Sequence, residues 1–235
     1  METADVAIVG GGVMGCSLAY HLSRAGVDVV VLERAELGSG STARNAGGVR
    51  QQFSSEVNVR IGMRSVTMLK NFEQEVGVPA DFRQVGYLML LTRPQELEDF
   101  QQLMELWHRL GLADARWLTI AEIGDQVPAL NREDILGATF CPSDGIASPD
   151  AVTMGYAGAA QRAGARVSDG GEVTGIDVRA GRVSGGGPTG RAHRPRRACD
   201  SAGAGAQREA RGASGCAAAS AGGGITARKN ISVRS

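Results

Sequence analysis

Gly10, Gly12 and Gly15 stand at G-x-G-x-x-G spacing, and Glu33 closes the apolar run that follows them. Each glycine of such a pattern has a physical role: the first makes a tight turn, the second lets a pyrophosphate approach the backbone, and the third lets a helix lie close on a strand. A carboxylate at the end of the second strand accepts hydrogen bonds from a free adenosine ribose and would repel a 2′-phosphate. The pattern therefore reads as a dinucleotide site that favours FAD or NAD over NADP. The plain alternative is a parallel βαβ unit with an ordinary glycine turn and a solvated Glu33.

Three elements must position these residues. Val6 to Val9 is a short apolar, β-branched run suited to a strand buried on both faces. Val13, Leu18, Ala19 and Leu22 recur at roughly helical spacing, with Gly26 where a C-terminal cap belongs. Val27 to Leu32 supplies a second parallel strand. A further stretch with chemical content follows, from Leu37 to Phe53: small residues and hydroxyls (Gly38, Ser39, Gly40, Ser41, Thr42) interleaved with Arg44 and Arg50. It could be a flexible surface loop. Close to a dinucleotide site it reads better as a cradle, because small residues admit a ligand to the backbone and arginine supplies positive charge.

Composition narrows the classes. The chain has 235 residues, 43% hydrophobic and 21% charged, with a formal net charge of zero, as for a soluble globular protein rather than a nucleic-acid binder. Acidic residues are in excess through residue 181 and basic ones after it, the two imbalances cancelling. No run approaches the ~18 apolar residues of a membrane span. The start, Met-Glu-Thr-Ala-Asp, lacks the basic and apolar regions of a signal peptide, so a cytoplasmic setting is expected. Cys16, Cys141, Cys199 and Cys216 show no C-x-x-C or metal-ligand spacing, which points to reduced thiols and no metal site. Cys16, on the first helix, reads as a small buried hydrophobe.

Further along, Ser55 to Val76 reads as one amphipathic helix, Phe82 to Leu91 as a strand, and Gln95 to Leu110 as a second amphipathic helix. His108, on that helix, reads as a surface or interface histidine. Trp117-Leu118 is a short strand, Thr119 to Glu122 a capping box opening a helix, and Ile135 to Phe140 a strand before the turn Pro142–Gly145. Asp150 is placed to cap a helix over Ala151 to Ala163, and strands follow at Ala165–Val167 and Glu172–Val178. The expected fold is α/β: a Rossmann-like dinucleotide-binding domain with an inserted α+β substrate lobe. Residues 1–83 would be the first part of that domain, 84–145 the lobe, 146–184 the return to the domain, and 185–235 a low-complexity tail.

In Asp5–Arg34, Gly38–Ser54, Asp81–Leu88, Val127–Leu130, Gly137–Gly145 and Glu172–Ile176 the chain resembles the FAD-dependent amino-acid and amine oxidoreductases, a D-amino-acid oxidase-like family. Within it the nearest likeness is to the sarcosine oxidase β-subunit-like proteins. The resemblance implies FAD rather than NAD, and so a Rossmann-like FAD-binding domain in a fold that is C-terminally incomplete. Gly10, Gly12 and Gly15 would lie at the pyrophosphate, with Gly11, Val13 and Met14 also counted as cofactor-binding. Glu33 would lie at the adenosine ribose, with Arg34 beside it. Ser41, Thr42 and Arg44 would be phosphate-side contacts. Ala46, Gly47 and Gly48 would pass near the flavin ring, and Val173 would give a backbone contact to the adenine.

Arg50 is similar in position to an arginine that pairs with the substrate carboxylate in related sarcosine oxidases; a structural salt bridge is the alternative. No residue matches the histidine or cysteine that tethers flavin covalently in several relatives, which implies a non-covalent flavin. The implied reaction oxidises the C–N bond of a small amino acid or N-methyl amine, with hydride passing to flavin N5 and the imine hydrolysing. No side chain is assigned a catalytic role. The implied partners are the small amine or amino-acid substrate and other oxidase subunits. Two other readings stand beside this one: a non-catalytic flavin-binding remnant or subunit, and an NAD-dependent dehydrogenase.

From about Gly185 the text becomes Ala-, Gly- and Arg-rich, without leucine or aromatic residues. Such a run buries little apolar area against the ~1–2 kcal/mol of backbone entropy each ordered residue costs. It reads as a run without helix or strand, either a basic disordered tail or a frame-disrupted segment in place of the family's remaining sheet strands. Asp200-Ser-Ala-Gly203 faintly echoes a family segment near the flavin.

Overall fold

A computed structural model describes residues 2–179, 182–188 and 193–200, with side chains for residues 4–176. In chain order the elements are β1 (Glu2–Val9), α1 (Val13–Arg24), β2 (Val29–Leu32), β3 (Gly48–Val49), α2 (Glu56–Lys70), α3 (Phe72–Val76), β4 (Tyr87–Leu91) and α4 (Pro94–Arg109). Then come β5 (Arg116–Leu118), α5 (Ile120–Gln126), β6 (Gly137–Cys141), β7 (Gly145–Ile146), α6 (Pro149–Arg162), β8 (Arg166–Ser168), β9 (Val173–Arg179), β10 (Arg182–Pro188) and β11 (His193–Asp200). They form two compact units, Met1–Ala46 with Pro149–Ser235, and Gly47–Ser148.

The first unit is built on a six-stranded sheet in the order β8-β2-β1-β11-β10-β9. β8, β2, β1 and β11 run parallel, and β10 and β9 are antiparallel additions. All four residues of β2 are buried, as expected for a parallel strand covered on both faces. Ala4, Ala7, Val30 and Leu32 form one cluster of its core, against which Val173 packs. α1 and α6 lie together, with Tyr20 and Tyr156 ring centroids 5.3 Å apart. Small buried residues, Gly15 and Ala19 on α1 and Gly155, Ala157 and Ala160 on α6, keep the helices slim.

Two strands occur beyond residue 181, which corrects the expectation of a strand-free run from Gly185. β11 pairs with β1 along seven residues, Glu2 with His193 through Val9 with Asp200. Parallel pairing is made by backbone groups, and the free edge of β1 offers them whatever side chains the incoming strand carries. Residues 201–235, including Asp200-Ser-Ala-Gly203 beyond its first residue and Cys216, lie outside the described residues, as does the side chain of Cys199.

The second unit holds a three-stranded antiparallel sheet, β4-β6-β5, and the small pair β3-β7. Residues 47–83, which the sequence reading grouped with the nucleotide-binding part, fall in this unit because β3 pairs with β7 and Arg83 bridges Ile146. One face of the larger sheet packs Leu88, Leu118, Ala138 and Phe140 against Ile123, Leu130 and Ile135. Elsewhere Val59, Met104, Trp107, Leu112, Ala115 and Cys141 form a second cluster, flanked by Phe53, Met63 and Phe100.

Local details depart from the sequence reading at several element ends, three of them with a clear physical cause. The expected helix over Ser55–Val76 is two helices, broken at Asn71, whose backbone caps α2 and opens α3. The strand expected from Phe82 begins only at Tyr87: Gly86 has φ +80, and a Cβ there would collide with the Phe140 ring. Asp150 sits inside the first turn of α6, not before it, because Pro149 takes the first helical position. The Thr119–Glu122 capping box forms as read, with Thr119 Oγ1 accepting from the Glu122 amide at 3.3 Å.

Trp107, fully buried, donates its Nε1–H to the Phe53 carbonyl at 2.7 Å. Replacing it by phenylalanine keeps most apolar contact and leaves that carbonyl without its partner. Trp107→Phe is expected to cost about 1–2 kcal/mol in urea unfolding with an unchanged m-value; a loss below about 0.3 kcal/mol would show that the bond contributes nothing.

Candidate functional site

In the first unit the strand-to-helix turn carries the chemistry. Gly10 adopts φ +102, a conformation open to glycine, and its amide donates to the Leu32 carbonyl at 2.8 Å. This ties the end of β1 to the end of β2. The next amide, of Gly11, donates to Glu33 Oε2 at 2.6 Å, and Ala35 donates to Glu33 Oε1 at 3.0 Å. Glu33 is thus held by a backbone amide on each oxygen. A carboxylate has about four lone-pair positions, so room remains for two ribose hydroxyls.

Gly11 is glycine for a reason the spacing rule does not contain. A Cβ there would collide with Leu37 Cδ2 and lie 3.1 Å from Glu33 Cβ. The motif's second glycine, Gly12, is closer to its expected role: a Cβ would meet Thr42 Oγ1 at 3.1 Å.

Thr42 joins the cradle to the helix. Its Oγ1 accepts from the Val13 amide at 3.2 Å, one of the first-turn donors that have no carbonyl within α1 to bond. Gly38 N–H donates to Gly11 O at 3.0 Å, and the bonds Ala43 N to Gly38 O and Asn45 N to Thr42 O fold Gly38–Asn45 into consecutive turns. The loop is bolted to the start of α1 rather than free on the surface. Ser41, Arg44 and Ala46 are exposed on it, as is Met14, 70% accessible at the helix start.

Other residues of the expected site make different contacts. Arg34 pairs with Glu172 at 3.7 Å, an exposed bridge. Val173 packs in the sheet core. Gly47 and Gly48 belong to the second unit, where Gly47 O accepts from Ala147 N at 2.9 Å and Gly48 pairs with Ile146. The donor set fits the nucleotide part of FAD: backbone amides at a helix start where a diphosphate's charge is favoured, and a held carboxylate for the ribose.

The comparisons give this geometry its family. The family model described as FAD dependent oxidoreductase matches residues 5–223. The chain belongs to that family. FAD is therefore its dinucleotide, and the NAD reading is set aside. The match also runs past Gly185. Over 183 residues the chain is 35% identical to mitochondrial dimethylglycine dehydrogenase of Homo sapiens, covering 76% of this chain and 21% of that one. It is 30% identical to sarcosine oxidase subunit beta of Rhodobacter capsulatus, covering 77% and 45%. The crystal structure of L-proline dehydrogenase from P. horikoshii superposes with a TM-score of 0.82 at 31% identity, covering 88% of this chain and 55% of that one. The chain thus spans about a fifth of the first relative and about half of the other two.

Arg50 lies in the second unit, half-buried. Its guanidinium carbon stands 4.6 Å from the Phe53 ring centroid, and Nη1 reaches Met89 Sδ at 3.8 Å. It makes no ion pair with any described residue. The two residues after it are buried glutamines whose importance no local pattern signalled. Gln51 Nε2 donates to Asp144 Oδ1 at 2.9 Å and Ser143 Oγ at 2.8 Å. Gln52 Nε2 donates to Tyr87 O at 2.9 Å and Asp144 Oδ2 at 3.3 Å, while its Oε1 accepts from Thr139 Oγ1 at 2.7 Å. Burial raises the Asp144 carboxyl above the ordinary carboxylate range, opposed by these glutamine bonds.

Among the described residues no group of His, Cys, Asp and Glu is arranged to hold a metal ion, and no helix is long and apolar enough to cross a membrane. His108 is exposed, its Nε2 2.7 Å from the Ala115 carbonyl. Burial, then the Glu33 charge, pushes the Cys16 thiol up to about 11; burial above all pushes Cys141 up to about 12. Both stay protonated at pH 8, so maleimide labelling and peptide mapping should find them unmodified in the folded protein and modified in urea. Native labelling of either would contradict their enclosure.

Thr42 offers a direct test of the cradle. Thr42→Val removes the acceptor that caps Val13 and the hydroxyl offered to a phosphate oxygen; Thr42→Ser keeps both. Equilibrium dialysis should show roughly 10-fold weaker FAD binding for the valine variant and near-normal binding for serine. Equal affinities would remove Thr42 from the site.

Proposed function

We propose that the protein oxidises the C–N bond of a small amino acid or N-methylated amine, sarcosine-like in size. Relatives named for dimethylglycine, sarcosine and proline support this substrate class. The observation that carries it within the chain is Arg50: a half-buried guanidinium, stacked on Phe53, with no carboxylate partner among the described residues. An unpaired cation so placed is a receptor for a small carboxylate, which it can grip through two parallel N–H donors.

FAD supplies the two-electron acceptor. The chain's residues do the rest by binding. Gly10–Gly15 and Thr42 hold the diphosphate, and Glu33 the ribose. Ser41 and Arg44 add phosphate-side contacts, and Arg34 and Val173 border the adenosine. Ala46, Gly47 and Gly48, short of side-chain bulk, pass near the flavin ring. Arg50 anchors the carboxylate so that the carbon beside nitrogen is held in one orientation. The likeness to a sarcosine oxidase β subunit supports assembly with further subunits.

Purified protein should be yellow, and anaerobic sarcosine, dimethylglycine, proline or glycine should bleach the flavin absorbance. Arg50→Ala should raise KM for a carboxylate substrate roughly 10- to 100-fold with a smaller change in kcat. Bound flavin that none of these substrates bleaches would favour a non-catalytic flavin-binding subunit. An unchanged KM in Arg50→Ala would remove that residue from the substrate site.

A further inference from the structure

The contacts of the Arg50 guanidinium are an aromatic face and one N–H to a thioether, neither of them a carboxylate that would engage its paired donors. The backbone that carries the side chain adds a further constraint on where those donors point. That backbone is clamped from two sides. On one side is Gly62 of α2, where a Cβ would lie 3.0 Å from Arg50 O and 3.1 Å from Gln51 Cα. On the other side are the side-chain bonds of Gln51 and Gln52, each 3% exposed, which converge on the two oxygens of a single carboxylate, Asp144.

Asp144 is 0% exposed and has no cationic partner among the described residues. Enclosing a carboxylate is costly unless its oxygens are satisfied, and here consecutive carboxamides satisfy both. The arrangement is also directional. Gln52 must point Nε2 at the Tyr87 carbonyl, which can only accept, and Oε1 at the Thr139 hydroxyl. With both glutamines donating through Nε2, the group that joins them accepts through both its oxygens. An asparagine would turn an N–H towards one of them.

We infer that Asp144 is a positioning residue for Arg50: by gripping Gln51 and Gln52 together it sets the direction in which Arg50 meets a ligand's carboxylate. The inference rests on the reading of Arg50 as the carboxylate receptor. It makes Asp144, more than ninety residues away in sequence, part of substrate selection without touching substrate.

Acetate, a carboxylate the enzyme cannot oxidise at a C–N bond, is the probe. Its binding to the flavin-loaded full-length protein would be followed by calorimetry for the parent, Arg50→Ala, Asp144→Asn and the double variant. Asp144→Asn is expected to weaken acetate roughly 10-fold with FAD content near the parent's, and to lower Tm because a buried N–H then faces a donor. In the Arg50→Ala background the same change should have no further effect, because Asp144 acts through Arg50. Gln51→Met, which removes one arm of the grip at similar volume, should weaken acetate by a smaller factor and decides the matter if Asp144→Asn does not fold.

Additive losses in the double variant, or acetate affinity unchanged in Asp144→Asn or in a folded Gln51→Met protein, would overturn the positioning role and leave Arg50 as receptor. If Arg50→Ala itself binds acetate normally, the receptor reading falls and the inference with it.

Discussion

The bond from the Gly11 amide to the Glu33 carboxylate, 2.6 Å long, is the constraint around which the nucleotide site is organised. It joins the turn after β1 to the end of β2, so the glycine backbone and the carboxylate proposed for the ribose are held together. Its geometry requires glycine at position 11, since a side chain there would strike Leu37 and crowd Glu33. The same turn then fixes the loop beyond β2, through Gly38 to Gly11 and Thr42 to Val13. Three hydrogen bonds thus tie one helix start, a weak feature by itself, to the strand end and loop around it.

Much of this surface was legible in the sequence because its parts are local. The spacing of Gly10, Gly12 and Gly15, the β-branched run of β2 and the terminal Glu33 all lie within one βαβ unit, where residue order and spatial order coincide. Thr119 and Glu122 were readable for the same reason, since a capping box closes within one helical turn. Gly11 was not. Its necessity comes from Leu37, on a different element, and glycine-motif spacing says nothing about what packs over the turn.

The unread parts share this non-local origin. Gln51 and Gln52 follow Arg50 in a stretch that looks like any polar loop. Their role appears only when Asp144, on the turn after β6, is brought beneath them. The break at Asn71 and the late start of β4 at Tyr87 are decided by packing, the latter by the Phe140 ring over Gly86, and apolar periodicity continues across both. β11 is the sharpest case. Its composition argued against a strand, but pairing to β1 is an interaction of backbones, and the edge of a central parallel strand accepts a partner with few demands on sequence.

The two units handle charge in opposite ways, and this bears on what each can bind. The first unit directs neutral backbone donors and one amide-held carboxylate at its ligand, a set suited to a nucleotide whose own charges are fixed. The second separates its charges. Asp144 is enclosed and satisfied by uncharged amides, while Arg50 is left half-buried without an acidic partner among the described residues. Had Asp144 paired directly with Arg50, the arginine's donors would already be spent and a ligand's carboxylate would have to displace a buried ion. Interposing Gln51 and Gln52 lets the buried carboxylate order the backbone without neutralising the cation that the backbone presents.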